Sequence, residues 1–148
     1  MRPKDRELIY CAGGLVWREE GAERQLLLIR AVKDGAWKLP KGHIDPEDES
    51  WMAAAKREVL EETGFESVIT DFAGYTRYEV GGVPKIVLYW HMTPVDDHTF
   101  QPNEEIVEIA WVAPNECIER LTYPVDREFI AQFLTGIEPD PIKTGKIS

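Results

Sequence analysis

The sequence holds only two cysteines in 148 residues, Cys11 and Cys117. Two are too few for a disulfide scaffold, and the pair matches no zinc-ligand spacing. Both are expected as small apolar core residues in a reducing compartment. Basic charge is also scarce: 17 Lys and Arg stand against 27 Asp and Glu, a net of −10. A protein that grips DNA or RNA by neutralising phosphates needs the opposite balance, so passive nucleic-acid binding is disfavoured. An acidic chain can still handle phosphates by recruiting cations, with its acids concentrated in one place. Long apolar runs are missing too. The longest, residues 86–90, falls far short of the ~20 residues of a membrane helix. The charged start, residues 1–6, has no signal-peptide core. The expectation is a soluble, cytoplasmic protein with no membrane partner.

Apolar residues are otherwise sufficient. Leu, Ile, Val and Phe make up about a quarter of the chain, above the level at which disorder becomes the default. Residues 7–17 read as a strand with Ile9, Cys11, Leu15 and Trp17 on one face and Tyr10, Ala12 and Val16 on the other. Burial on both faces marks a central strand. Gly13 and Gly14 either weaken it or let another backbone approach. A second buried strand follows at 25–31, then a turn at Asp34-Gly35 and a short extended piece at 37–39 ended by Pro40. Residues 41–49 read as a polar loop. A helix spans 48–63, with an earlier start at Asp45-Pro46 as the alternative. Gly64 suits its left-handed cap, with Phe65 placed to pack on Leu60. Residues 67–78 form one bent or two short strands, and Gly81-Gly82 turns into a strand at 85–92. A last strand at 106–112 precedes helices at 114–121 and 125–134. Residues 1–135 make one α/β domain with a mixed sheet between helices, and 136–148 read as a tail.

The central helix breaks a local rule. On a wheel of ~100° per residue, Met52, Ala55, Val59 and Thr63 form the core stripe. Glu58, Glu61 and Glu62 form a carboxylate stripe beside it. Their i, i+3 and i, i+4 repulsions each disfavour the helix by ~0.2–0.5 kcal/mol. Facing the negative end of the helix dipole adds ~0.3–1 kcal/mol each. Uncompensated violations of this kind mark functional sites. A divalent cation is the compensation, and oxygen-only ligands suit magnesium, or manganese.

The wider pattern runs Gly42, Glu49, Arg57-Glu58-Val59, Glu61-Glu62, Gly64-Phe65. It resembles the Nudix box, G-x5-E-x7-R-E-U-x-E-E-x-G-U, with one departure. Six residues separate Gly42 from Glu49 instead of five. Asp48 restores that gap but lengthens the next to eight, so Glu49 is taken as the match. Together with the strand order flanking it, the resemblance covers residues 7–134 and implies the Nudix α/β/α sandwich. It implies hydrolysis of a phosphoanhydride in a nucleoside-linked diphosphate, by water attack on phosphorus. It makes Glu58 and Glu62 primary metal ligands, Glu61 a further ligand and catalytic group, and the Gly42 carbonyl another ligand. Arg57 would orient the glutamates. Glu105, ahead of Trp111, is the candidate general base, with Glu104 as its competitor.

Residues 37–46, 85–90 and 121–128 resemble segments of bacterial dinucleoside polyphosphate hydrolases of the diadenosine tetraphosphate type. On that likeness Lys41 and Lys85 reach phosphates, and Tyr78 and Tyr89 offer stacking surfaces for a base, with a core aromatic as the alternative for Tyr89. Arg127 either pairs with a phosphate or caps the final helix. His43 is read as structural, and His91 and His98 as non-ligands. The expected partner is a small nucleotide. Alternative substrates are oxidised nucleoside triphosphates and ADP-ribose-like nucleotide sugars. A non-catalytic nucleotide sensor is the alternative of another class, and it has no need of a self-repelling carboxylate cluster.

Overall fold

Burial on both faces of one strand sets the architecture. Strand β1 (Ile9–Glu20) contributes seven consecutive buried residues and becomes the centre of the sheet. In the computed structural model, which describes residues 8–96 and 99–134, one side of it carries β2 (Glu23–Ala31), with β3 (Trp37–Lys38) beyond, and β4 (Lys41–His43). Helix α1 (Trp51–Thr63) then crosses to β5 (Ser67–Val80) and β6 (Val83–Pro94) on the other. The chain closes with β7 (Ile106–Val112), α2 (Pro114–Arg120) and α3 (Pro124–Ala131). The path order is β3-β2-β1-β6-β5, with β4 paired to β1 and β7 to β2. Only β1 and β6 run parallel; the other pairs are antiparallel, so the sheet is mixed.

The two faces of β1 build two cores. Cys11, Leu15 and Trp17 pack with Tyr89, Cys117, Phe129 and Ile130 beneath α2 and α3. Ala12 and Val16 pack with Ala54, Ala55 and Val59 of α1 and with Trp90 and Met92. Both cysteines are buried and free, as expected. The chain is an α/β/α sandwich.

Three local expectations need correction. Residues 41–49 are not all loop: Lys41–His43 pair antiparallel with Gly13, Ala12 and Cys11. Helix α1 begins at Trp51, not at 48 or 45, because Ser50 takes the N-cap and its Oγ accepts from the Ala53 N–H at 3.0 Å. Asp48 is therefore free of the helix. Met52 lies outside the core stripe and is exposed, while Ala54 joins Ala55, Val59 and Thr63 inside. At the other end Gly64 takes a left-handed φ of 82° and returns its N–H to Leu60. Phe65 turns into the core edge-on to Trp111, while Leu60 stays exposed. Residues 67–80 are one strand bent by two register shifts against β6. His98 and the tail 136–148 lie outside the described residues. Among the described residues, no helix is long and apolar enough to cross a membrane.

Candidate active site

One edge of β1 changes partner along its length. Its first half pairs with β4 and its second with β2. Between them the Gly14 N–H donates to the Pro40 carbonyl at 3.2 Å. A Cβ on Gly13 would collide with that same carbonyl, so glycine there admits the crossing chain. The crossing delivers Lys41 and Gly42 onto the carboxylate face of α1.

Glu58 lies against Gly42, where any Cβ would strike its carboxylate. Burial raises the Glu58 pKa, against the pull of Arg57. Glu62 accepts the Lys41 backbone N–H at 3.0 Å. Its pKa is pushed up to about 8 by burial first, opposed by that hydrogen bond and reinforced by the charges of Glu58 and Glu105. Glu61 is exposed and touches Arg57 at 3.3 Å.

Arg57 is the hub. Its Nε and one terminal nitrogen donate to both Asp48 oxygens, at 2.8 and 2.9 Å. The other terminal nitrogen donates to Glu58 at 2.8 Å, and the His43 carbonyl accepts at 2.9 Å. These carboxylates hold Arg57 firmly charged. A planar fork can satisfy so many acceptors at once; an ammonium cannot. The loop acid that anchors it is Asp48, not Glu49. A loop residue placed before the Ser50 cap is free to turn toward the guanidinium, so the additional residue falls in the second gap of the motif.

A cleft of about 320 Å³ opens beside this cluster, walled by Lys33, Lys38, Lys41, Glu62, Glu104 and Glu105 among others. Glu105 is exposed on its lip. The backbone there is fixed by the Val32 N–H donating to the Glu105 carbonyl and by Asn103 Oδ1 accepting from Glu105 and Ile106. Glu58, Glu61 and Arg57 stand outside its walls. Among the described residues, no three His, Cys, Asp or Glu side chains form a ready cation cage. The donor set nonetheless fits a hard divalent ion. Glu58 and Glu62 are oxygen donors, desolvated and mutually repelling, beside a glycine that leaves room. Magnesium keeps several waters and needs few protein ligands.

The remaining candidates divide. Lys41 Nζ donates to Tyr78 Oη at 3.2 Å. Burial lowers the Lys41 pKa, but Tyr78, Cys11 and Glu62 more than offset it. Lys85 Nζ lies 6.0 Å from the Tyr78 ring centre, so Tyr78 gathers both lysines. Tyr89 offers no stacking face: it is 1% exposed, with its ring 5.1 Å from that of Phe129. Arg127 does not cap the final helix: one terminal nitrogen donates to the Leu121 and Thr122 carbonyls at 2.9 Å each, tying α3 to the end of α2. His91 accepts from Trp17 Nε1 at 3.0 Å, a structural role. His43 contributes its backbone carbonyl to Arg57.

Sequence reasoning missed Lys38, Tyr123 and Asp126. Tyr123 Oη donates to Asp34 at 2.8 Å, and Lys38 lies 3.7 Å from the same carboxylate, tying β3 to the start of α3. Asp126 is buried near Lys41 and Lys38, with its pKa pushed up to about 6 by desolvation that the two lysines only partly offset. An acid in the first turn of a helix reads as dipole compensation, which hid it.

A mixed sheet between α1 and the α2–α3 pair, with a glutamate-rich helix facing a glycine on a crossing strand beside a lysine-walled cleft, is the frame of a phosphohydrolase. The family model described as NUDIX domain matches residues 9–133, and the chain belongs to the Nudix family of hydrolases. An 8-oxo-(d)GTP phosphatase of Mycolicibacterium smegmatis is 29% identical over 140 residues, covering 88% of this chain and 43% of that protein. This chain therefore spans less than half the length of that relative. An asymmetrical bis(5'-nucleosyl)-tetraphosphatase of Caenorhabditis elegans is 33% identical over 121 residues, covering 78% of this chain and 87% of that one. The crystal structure of a C. elegans Ap4A hydrolase binary complex superposes with a TM-score of 0.75 at 27% identity, over 84% of this chain and 94% of that one.

Proposed function

We propose that the chain cleaves a phosphoanhydride bond in a nucleoside polyphosphate, foremost a dinucleoside polyphosphate such as diadenosine tetraphosphate, by water attack on phosphorus. The observation that carries this is the pairing of a cation-hungry carboxylate cluster with a lysine-walled cleft. Glu62 and Lys41 belong to both. Glu58, Glu62 and the Gly42 carbonyl would hold magnesium or manganese, with Glu61 completing the set. When bound, the ion supplies electrophilic charge to the phosphates and makes water a better nucleophile.

The protein's own residues do the rest. Arg57 fixes Glu58 and the loop at His43 and Asp48 before substrate arrives. Lys41 and Lys38 offer point charges to a phosphate chain lying in the cleft, and Lys85 offers another beside Tyr78. Glu105 takes the proton from the attacking water, and its exposure on the lip lets it swing inward. The relatives named for tetraphosphatase activity favour the dinucleoside substrate. The mycobacterial relative makes an oxidised guanosine triphosphate the second choice.

The test is hydrolysis with magnesium of diadenosine tetraphosphate, 8-oxo-dGTP and ADP-ribose in oxygen-18 water. We expect ATP plus AMP from the first, with label on one product phosphate. Label on ribose, or turnover indifferent to magnesium and manganese, refutes the mechanism. Faster turnover of 8-oxo-dGTP moves the assignment to the second choice.

A further inference from the structure

The α1-side face of the sheet is only half covered. Helix α1 lies over Ala12, Val16 and Met92. Register places Tyr10, Ile86 and Arg77 in one row across β1, β6 and β5, and Ala12, Leu88 and Tyr75 in the next. Phe72 and Trp90 continue the face. Among the described residues, nothing covers these rows beyond the helix. Exposure runs from 37% for Tyr10 to 61% for Tyr75, with Trp51 at 48% and Phe72 at 51%. Trp51 is no isolated outlier: its ring stacks on Tyr10 at 5.3 Å and extends the patch from the sheet onto the helix.

The patch has a size that matters. Four aromatic side chains of ~150–250 Å² each, about half exposed, present roughly 400 Å² of apolar surface. Ile86 and Leu88, half-buried in the same rows, add to it. That falls within the ~300–600 Å² of the largest patch on a typical monomer, which is often functional. A standard interface takes about 800 Å² from each partner, a little over half of it apolar. The patch therefore supplies the apolar share of one complete half-interface.

Charge selects the occupant. A chain of net charge −10 repels another copy wherever acids meet acids. Here the flanking charges on the β5 rows are one cation and one anion, Arg77 and Glu79. Both are exposed and, among the described residues, neither is in an ion pair. An isologous interface whose two-fold axis passes between these two positions would set Arg77 of each copy against Glu79 of the other. We infer that this face joins two copies of the chain into a symmetric dimer through Tyr75, Phe72, Leu88 and the Tyr10–Trp51 pair. The carboxylate cluster and cleft are not part of it, so dimerisation and hydrolysis are separable.

The test is sedimentation equilibrium of the full chain from low micromolar to sub-millimolar concentration. Expected is a mass tending to twice 16.9 kDa. Tyr75→Asp should raise the dissociation constant at least about tenfold, equivalent to ~1.4 kcal/mol. Arg77→Glu should weaken association, and Arg77→Glu with Glu79→Arg should restore it. Tyr75→Asp at so exposed a position should keep the wild-type melting temperature and nucleotide turnover. A single-chain mass at every concentration overturns the inference, whether the face then binds another protein or a segment of its own chain. So does a dimer indifferent to both Tyr75→Asp and the charge reversals.

Discussion

Glu62 is the position where stability and catalysis pull in opposite directions. Its carboxyl has an ordinary value of 4.5 in the unfolded chain and about 8 in the fold, chiefly through burial. An acid with a raised folded pKa leaves the native state fully stable below about pH 4.5. The stability is lost as pH rises toward 8, because the unfolded chain releases the proton first. At about 1.4 kcal/mol per pH unit the ceiling on that loss is roughly 5 kcal/mol. Water entry and relaxation around the ionised group bring the expected loss to about 1–3 kcal/mol. Glu62→Gln keeps an oxygen for the Lys41 N–H at 3.0 Å and carries no charge. In chelator, its denaturant-unfolding free energy should equal wild type near pH 4.5 and exceed it by about 1–3 kcal/mol at pH 8. Magnesium should stabilise wild type at pH 8 and leave the variant nearly unchanged. Nucleotide turnover by the variant should fall at least about a hundredfold. Destabilisation by Glu62→Gln at pH 8 in chelator would refute the reasoning, since Glu62 would then be a stabilising charge.

Glu105→Gln should lower kcat by ~10²–10⁴-fold with little change in KM, whereas Glu104→Gln should cost less than about tenfold. Steady-state kinetics across pH at saturating magnesium decides, and exchanged effects would transfer the base to Glu104. Gly42→Ala drives a Cβ into the Glu58 carboxylate. It should weaken magnesium binding by at least about tenfold while the far-ultraviolet spectrum is retained; calorimetric titration reads the former. Asp126→Asn removes a buried acid whose pKa has risen from 3.8 to about 6. It should stabilise the fold by about 1–3 kcal/mol above pH 6 and by nothing near pH 3.8, measured by urea unfolding at both pH values.

The two-sided burial of β1 was legible because alternating apolar residues on both faces leave no polar face for solvent. The crowding of Glu58 and Glu62 against Gly42 and Lys41 was foreshadowed in the sequence, because their positions on the helix violate its electrostatics. The start of α1 was not, because Asp48 and Asp45-Pro46 both read as helix starts, whereas Asp48 is taken by Arg57 and Ser50 supplies the cap. For the same reason Glu49 and Asp48 were indistinguishable by spacing alone. Strand β4 was hidden: Lys-Gly-His has no strand propensity, and it is extended only because Gly13 lets it lie against β1. Tyr89 and Tyr78 sit on neighbouring strands, Tyr78 between charged residues and Tyr89 within an apolar run. The depth of the α3 packing, seen in Phe129 over Tyr89, separates them.

The change of partner along one edge of β1 has a consequence for how such a protein diversifies. The groups proposed to hold the ion stand on a helix and a paired strand, while Val32, Lys33, Glu104 and Glu105 on the cleft wall come from the connections after β2 and before β7. Those two connections touch each other through the Val32 N–H and the Glu105 carbonyl, and not through α1. Insertions there reshape what enters the cleft without moving Glu58 or Glu62. One hydrolytic apparatus can in this way be inherited intact while its clientele changes loop by loop.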